Sequence, residues 1–200
     1  MTTRDDVHQS PDPQAVAEGR VTPDVSAVSS RVVYENRWMR VREDATRRRD
    51  GTPGIYGVVE KADFAVIAPV EEGMTWLVEQ YRYPVQGRYW EWPQGSWEGE
   101  PGKNPLDLAR AELLEETGLT AREMVHAGHL FECYGTSTQG YDIFLARGLA
   151  TGPARREATE QDMVCRRFSL AGLEAMIRDG TIKDGTTVAA FGLLRLKGFI

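Results

Sequence analysis

The sequence predicts an α+β fold built around a mixed β-sheet, and three observations support this prediction. Short runs rich in Val, Ile, Phe, Tyr and Trp recur along the chain, and such runs are typical of strands. Helical periodicity and helix-terminus signals mark three segments, one near the middle of the chain and two at its C-terminal end. Strands and helices do not alternate regularly, which favours a mixed sheet over a doubly wound α/β fold.

Composition and charge narrow the class of protein. The 200 residues include 41% hydrophobic ones, which suits one globular domain, and the formal charge of −6 argues against broad binding to nucleic acid or an anionic membrane. No apolar run approaches the roughly 20 residues of a membrane span, and the N-terminus lacks the apolar segment of a signal peptide. We therefore expect a cytoplasmic protein in which Cys133 and Cys165 are reduced core thiols.

The chain divides into three predicted parts. Residues 1–30 are rich in Asp, Ser, Pro and Thr and predict a disordered leader. Residues 31–60 predict an N-terminal strand segment, and residues 61–200 the main domain. The predicted strands of the N-terminal segment cover residues 32–35, 39–42 and 56–60, with a hairpin turn within residues 46–54.

In the main domain, strands are predicted before and after a central helix. They cover residues 64–70, 75–81, 124–134, 141–146 and 163–168. A long connection rich in Gly and Trp is predicted over residues 84–102, and two C-terminal helices over residues 170–178 and 186–197.

The central helix, residues 105–117, has clear signals at both ends. Asn104 is placed to cap its N-terminus, and Pro105 suits its first turn. Gly118 suits the left-handed position just beyond its C-terminus.

This helix carries three glutamates, Glu112, Glu115 and Glu116. Residues four apart are stacked on a helix, so Glu112 and Glu116 lie together, with Glu115 on the adjacent flank. The predicted apolar stripe lies beside them and consists of Leu106, Ala109, Leu113 and Thr117. Carboxylate oxygens are the ligands that Mg²⁺ prefers. Spacing alone leaves a metal site and a solvated acidic face as equal alternatives.

Residues 111–119, Ala-Glu-Leu-Leu-Glu-Glu-Thr-Gly-Leu, resemble the second half of the Nudix box, R-E-U-x-E-E-x-G-U, where U is bulky and apolar. Residues 77–84 and 90–95 resemble the segments before the box in the ADP-ribose pyrophosphatase branch, and residues 177–184 its C-terminal helix–turn–helix. The resemblance covers about residues 31–198. It implies a Nudix-type α/β/α sandwich with a mixed β-sheet and an N-terminal antiparallel strand extension, through which members of the branch pair as homodimers.

The resemblance also implies a reaction. A Nudix pyrophosphohydrolase hydrolyses a nucleoside diphosphate linked to another group, here ADP-ribose or a related nucleotide sugar, to a nucleoside monophosphate and a sugar phosphate. Mg²⁺, or Mn²⁺ in its place, would be held by Glu112 and Glu116 with the backbone carbonyl of Gln94. Glu115 would be a further ligand or would hold the attacking water.

Each of the remaining candidate site residues has a functional interpretation and a structural alternative. Glu160 is the predicted general base, with Glu157 in reserve, although a solvated loop fits this segment equally well. Arg82 is predicted to bind a phosphate or, alternatively, to form a strand-edge ion pair. Glu91 matches a family position near the substrate, and a buried polar contact is its alternative.

The sequence departs from the family pattern in three ways. Ala111 replaces the arginine of the box, with Arg110 one place earlier, and Lys103 stands where the first glutamate of the box would align. Tyr134 occupies a position where ADP-ribose enzymes tend to have proline and where dinucleoside polyphosphate hydrolases have tyrosine. Two alternatives therefore stay open, namely a dinucleoside polyphosphate hydrolase and a non-catalytic nucleotide-sensing Nudix module.

Aromatic and imidazole side chains give two further expectations. Trp90, Trp92 and Trp97 are a candidate surface for stacking a base, although aromatic residues this dense are more often part of a core or an interface. His126 and His129 lie three apart in a predicted strand, so we expect them on opposite faces of the sheet.

Overall fold

The computed structural model describes residues 23–97, 104–152 and 162–200, and this part of the chain forms ten strands and three helices. The strands are β1 Val25–Glu35, β2 Arg40–Arg48, β3 Pro53–Glu60, β4 Phe64–Glu71, β5 Met74–Arg82, β6 Gly87–Glu91, β7 Gln94–Gly95, β8 Leu119–Phe131, β9 Gly140–Thr151 and β10 Val164–Ser169. The helices are α1 Pro105–Thr117, α2 Leu170–Arg178 and α3 Gly185–Leu196.

The main sheet has seven strands in the order β10-β5-β4-β9-β8, with β6 added to β5 and β7 added to β4. Among the described strands β4 and β9 pair in parallel, with Phe64 opposite Tyr141, and the other named pairs are antiparallel. The predicted mixed sheet is therefore confirmed.

The central strand β4 shows why the sheet is covered on both faces. Successive side chains of a strand point to opposite faces. Ala65 and Ile67 pack in one core cluster with Leu108, Ala109 and Leu113 of α1. Val66 and Ala68 pack in the other, which includes Leu173 of α2 and Ala190, Phe191 and Leu194 of α3. These two clusters confirm the predicted α/β/α sandwich.

A separate three-stranded antiparallel sheet, in the order β1-β2-β3, precedes the sandwich. Its first strand begins at Val25, which pairs with Arg48, so the predicted leader boundary at residue 30 is too late. Residues 25–30 contain little apolar periodicity because every residue of β1 is exposed, and the strand is ordered by backbone pairing rather than burial.

The predicted connection over residues 84–102 also contains regular structure. The short strands β6 and β7 lie within it and pair with β5 and β4, respectively. Strand β7 depends on β4, a partner distant in the chain, which explains why local sequence patterns did not indicate β7 as a strand in its own right.

A bulge in β8 corrects the prediction for the two histidines. The register of β8 against β9 shifts between His126 and Gly128, and Gly128 has a φ of 153°, a conformation that glycine adopts readily. The extra residue reverses the alternation of side chains beyond it. His126 Nε2 and His129 Nδ1 consequently lie on the same side of the strand, 2.7 Å and 3.4 Å from Asp142 Oδ1.

Two expectations from composition can also be compared with the structure. Cys133 is exposed in the loop between β8 and β9, so the prediction that it is a core thiol is wrong. Each of the three helices is too short or too polar to cross a membrane within the described part of the chain.

Candidate active site

Helix α1 fixes the positions of the glutamates through both of its ends. The side chain of Asn104 accepts a hydrogen bond from the Leu106 N–H at 3.0 Å, as predicted for an N-cap. At the other end Gly118 has a φ of 72°, and its N–H donates to the Leu114 carbonyl at 2.9 Å. The two caps define the residues at which the helix begins and ends.

Glu112 and Glu116 are part of the buried face of α1, with exposed fractions of 7% and 1%. Glu115 is only partly buried. The sequence predicted all three carboxylates beside the core, whereas two of them lie within it. The apolar stripe also differs, because Leu108 is buried in place of the predicted Leu106, which is partly buried.

Strand β7 lies directly against these two carboxylates. The Gln94 N–H donates to Glu116 Oε2 at 3.2 Å. A Cβ added to Gly95 would lie 2.4 Å from the Glu112 carboxylate, so only glycine permits this approach. The structure therefore brings together Gln94, Glu112 and Glu116, the three residues predicted as metal ligands.

Two buried carboxylates four residues apart on one helix face suit a hard divalent cation, because like charges at this spacing repel and burial strengthens the repulsion. Within residues 23–97, 104–152 and 162–200, no group of three His, Cys, Asp or Glu side chains is arranged to hold a metal ion. The two glutamates would therefore supply only part of the ligand set of such a cation. The predicted general base Glu160, its reserve Glu157 and the box position Lys103 lie outside the described residues.

Arg82 and Glu91 form an ion pair on neighbouring strands β5 and β6. Glu91 is only 2% exposed. Its Oε1 accepts hydrogen bonds from Arg82 Nη2 and from Gln80 Nε2, the latter at 2.9 Å. Its Oε2 accepts a hydrogen bond from Arg82 Nε at 3.2 Å. Burial raises the pKa of Glu91 above its ordinary value, although Arg82 opposes this shift. Burial alone would lower the pKa of Arg82, but the charge of Glu91, with smaller contributions from Asp184 and Glu116, raises it.

Asp184 joins the N-terminus of α3 to strand β7. As the N-cap, its Oδ2 accepts from the Thr187 N–H at 2.8 Å, from Thr187 Oγ1 at 2.6 Å and from Gln94 Nε2 at 3.3 Å. Thr187 Oγ1 in turn accepts from the Trp92 N–H at 2.9 Å. The sequence reasoning gave Asp184 no role, although an aspartate directly before a helix indicates a cap.

These residues surround a cavity of about 560 Å³. Arg82, Glu91, Gln94, Gly95 and Asp184 line it, and Lys61 and Lys183 add positive charge from two other segments of the chain. The lining thus contains three cations and three carboxylates, Glu91, Glu132 and Asp184, and the cations suit an anionic ligand such as a pyrophosphate. The lysines were missed by the sequence analysis because neither belongs to a local motif.

The tryptophans form part of the core rather than a stacking surface. Trp92 is fully buried, with its Nε1–H donating to Thr75 Oγ1 at 2.9 Å, and Trp90 packs edge-on against Phe168. Trp97 is partly buried against the cluster that includes α1. The described lining of the cavity contains no tryptophan, so the core alternative is confirmed.

Comparisons with known proteins agree with this geometry. Residues 27–59 match the family model of the nucleoside diphosphate sugar hydrolase N-terminal domain. An ADP-ribose pyrophosphatase of Bacillus subtilis is 30% identical over 134 residues, which cover 66% of this chain and 71% of that protein. An ADP-ribose pyrophosphatase of Mycobacterium tuberculosis is 29% identical over 170 residues, covering 83% of this chain and 81% of that protein.

The fold is also similar to a solved structure. The crystal structure of an ADP compounds hydrolase superposes with a TM-score of 0.76 and 19% sequence identity, covering 88% of this chain and 96% of the other. At this identity the similarity supports the fold alone.

Proposed function

Because the chain belongs to the Nudix hydrolase family, in its ADP-ribose pyrophosphatase-like branch, we propose that it hydrolyses ADP-ribose or a related nucleotide sugar in a reaction that requires Mg²⁺. Membership of this branch makes the chain a pyrophosphohydrolase. The products would be a nucleoside monophosphate and a sugar phosphate. The observation that supports the proposal most directly is the contact of β7 with the two buried glutamates, beside a cavity whose lining includes Lys61, Arg82 and Lys183.

In the proposed mechanism, Glu112 and Glu116 would hold the cation with their carboxylate oxygens, and the Gln94 carbonyl would be a further ligand. When bound, Mg²⁺ would neutralise charge on the pyrophosphate and lower the pKa of water. Hydrolysis joins the oxygen of a water molecule to one phosphorus while the bridging P–O bond breaks and the other phosphate leaves. Glu115 or Glu160 accepts the proton that the water loses.

Arg82 is proposed to bind a phosphate oxygen while it stays paired with Glu91. The pair uses Nε and Nη2 of the guanidinium, so Nη1 is the group that we assign to the phosphate. Glu91 thereby acts on the substrate through Arg82, by holding the guanidinium in one position at the lining of the cavity.

The decisive experiment is an assay of the purified protein with ADP-ribose and Mg²⁺. We expect release of AMP and ribose 5-phosphate, loss of turnover when the cation is chelated, and its recovery with Mg²⁺ or Mn²⁺. Glu116→Gln should lower kcat at least about 100-fold, because it removes one charge from the ligand set. Glu123→Gln, at an exposed position of β8, is the matched control and should leave the rate unchanged.

A second substrate class is supported by Tyr134. This residue is 85% exposed and lines a second cavity of about 520 Å³. The two cavities share the lining residues Glu132, Asp184, Gly185 and Thr186. An exposed aromatic ring offers a face for a second base. The same assay should therefore include diadenosine polyphosphates. Absence of turnover for every nucleoside diphosphate compound, with either cation, would refute the catalytic proposal as a whole.

The third alternative, a non-catalytic nucleotide-sensing module, is set aside because the chain belongs to a branch of pyrophosphohydrolases and retains the glutamates of the box. The expected cytoplasmic location and the expected absence of nucleic-acid and membrane partners stay predictions from composition.

We also propose that the N-terminal sheet pairs two copies of the chain as a homodimer. Its strands expose large apolar side chains, among them Val28 at 60%, Val32 at 52% and Ile55 at 73%. Exposed apolar patches of this kind are typical of interfaces. We expect light scattering to give twice the chain mass, and Ile55→Lys to shift the protein towards monomer. Thr120→Lys, on the main sheet, is the control and should leave the measured mass unchanged. A wild-type protein with the mass of one chain would exclude the dimer.

A further inference from the structure

Gln139 lies in a segment that is closely attached to the end of the N-terminal sheet. The Val59 N–H donates to the Thr136 carbonyl at 2.8 Å, and the Thr138 N–H donates to the Val59 carbonyl at 3.0 Å. One residue beyond Gln139, the Gly140 N–H donates to Asp63 Oδ1 at 2.8 Å. These bonds on both sides of Gln139 hold its backbone in one position.

The side-chain amide of Gln139 is fixed as well. The residue is 4% exposed, and its Nε2 donates to the Ala62 carbonyl at 2.6 Å. A carbonyl oxygen can only accept, so the nitrogen rather than the oxygen of the amide must face Ala62. The orientation of Oε1 therefore follows from the Ala62 contact.

The Oε1 atom of Gln139 is buried, and no described residue donates a hydrogen bond to it. A buried acceptor without a donor is unfavourable and is rare in native proteins. Gln139 is also part of the lining of the 560 Å³ cavity, together with Lys61, Phe64 and Glu132. Gln139 therefore combines an acceptor that lacks a described donor with a position at the lining of the cavity.

The strand register indicates which part of a nucleotide sugar reaches Gln139. Gly95, next to the proposed metal ligands, pairs with Ala65 of β4. The Ala62 carbonyl that holds Gln139 lies three residues earlier and just before β4, so it is at most about 10 Å away at roughly 3.3 Å per residue. A span of this size covers the sugars bonded directly to the pyrophosphate, and the base lies one ribose further from the phosphates. A phosphate ionised at neutral pH also has few or no protons to donate.

We propose that Gln139 is a substrate-binding residue whose Oε1 accepts a hydrogen bond from a sugar hydroxyl of the nucleotide sugar. The inference rests on the proposed function and adds a specificity determinant to it. The hydroxyl belongs either to the sugar of the group released as a sugar phosphate or to the ribose of the nucleoside. A site built to pair with a hydroxyl discriminates against compounds that lack it, because the acceptor is then left buried and unpaired.

The test compares wild type and Gln139→Met on four compounds. They are ADP-ribose, an ADP methyl ester that lacks the outer sugar, an ADP-ribose with a dideoxy nucleoside ribose, and the analogue in which the 6-amino group of the base is replaced by a 6-oxo group. We expect Gln139→Met to lower kcat/KM for ADP-ribose about 10- to 100-fold. For the compound that lacks the hydroxyl contacted by Gln139, the kcat/KM values of wild type and variant should differ by no more than about 3-fold.

The wild-type enzyme provides a second measurement that does not depend on any variant being folded. It should discriminate at least about 10-fold against one of the two compounds that lack sugar hydroxyls. The inference is overturned if the effect of Gln139→Met is equal for all four compounds, which would indicate a purely structural role. It is equally overturned if the effect disappears only for the 6-oxo analogue, because the base would then be the donor.

Failure of the proposed function gives a different result. In that case the wild type hydrolyses none of the compounds. Calorimetric Kd values for the same four compounds, measured on a Glu116→Gln background with and without Gln139→Met, still test the hydrogen bond. The inference is supported if Gln139→Met removes the difference in Kd between ADP-ribose and a compound that lacks a sugar hydroxyl. It is overturned if the ratios of the four Kd values are the same with and without Gln139→Met.

Discussion

Replacement of Gly95 by alanine tests the contact between β7 and α1. The added Cβ would lie 2.4 Å from the Glu112 carboxylate carbon and from both of its oxygens. Non-bonded atoms of this kind are normally about 3.5 Å apart, so the carboxylate must move by about 1 Å. A displacement of this size in a catalytic group lowers the rate about 100-fold. We therefore expect Gly95→Ala to reduce kcat by about two orders of magnitude.

Stability should change much less than activity in this variant. The atoms that must move are the end of a flexible side chain, which can rotate away without displacing the backbone. Gly57→Ala is the matched control, since a Cβ at Gly57 in β3 meets nothing within 4 Å. The assay measures kcat, the Mg²⁺ concentration at half-maximal rate and the melting temperature of all three proteins. A Gly95→Ala rate within about 3-fold of wild type would refute the reasoning.

Two further predictions concern stability. Asn104→Ala removes the side-chain cap of α1 and should lower the free energy of unfolding by about 1 kcal/mol in urea titrations; no change would mean that the cap is dispensable. Hydrogen bonds from Arg40 and Arg42 lower the pKa of Glu60. Their stabilising effect is therefore present above the ordinary glutamate pKa of about 4.3 and is lost as pH falls through the lower, folded-state value. The difference in stability between wild type and Glu60→Gln should accordingly shrink on acidification below about pH 4, and a constant difference would contradict the assignment.

The sequence predicted the parts of the structure that depend on local signals. Helix α1 runs over the predicted residues because Asn104, Pro105 and Gly118 specify its two ends within the helix itself. The burial of Glu112 and Glu116 was not predicted. On an isolated helix these carboxylates belong to the polar side, and in the folded protein β7, a two-residue strand, packs directly against them.

The difference between local and long-range signals also explains why the prediction for His126 and His129 was wrong. Alternation along a strand predicts opposite faces for residues three apart, and a single bulge at Gly128 reverses this. Nothing in the local sequence distinguishes a glycine that forms a bulge from one that merely interrupts a strand. The bulge is defined by the register against β9, which is a long-range property.

The proposed metal ligands and the other residues of the candidate site also differ in whether local sequence signals reveal them. This difference affects how substrate specificity can be predicted. The proposed metal ligands Glu112 and Glu116 lie on one helix, so a short motif is sufficient to identify the chemistry. The cavity-lining residues that would contact the rest of the substrate, such as Lys61, Gln139 and Lys183, come from segments that meet only in the folded protein. Substitutions in these segments can change the preferred sugar or base while α1 and its carboxylates stay intact. Substrate specificity in this fold is therefore expected to vary independently of the reaction, and it must be argued from the walls of the cavity.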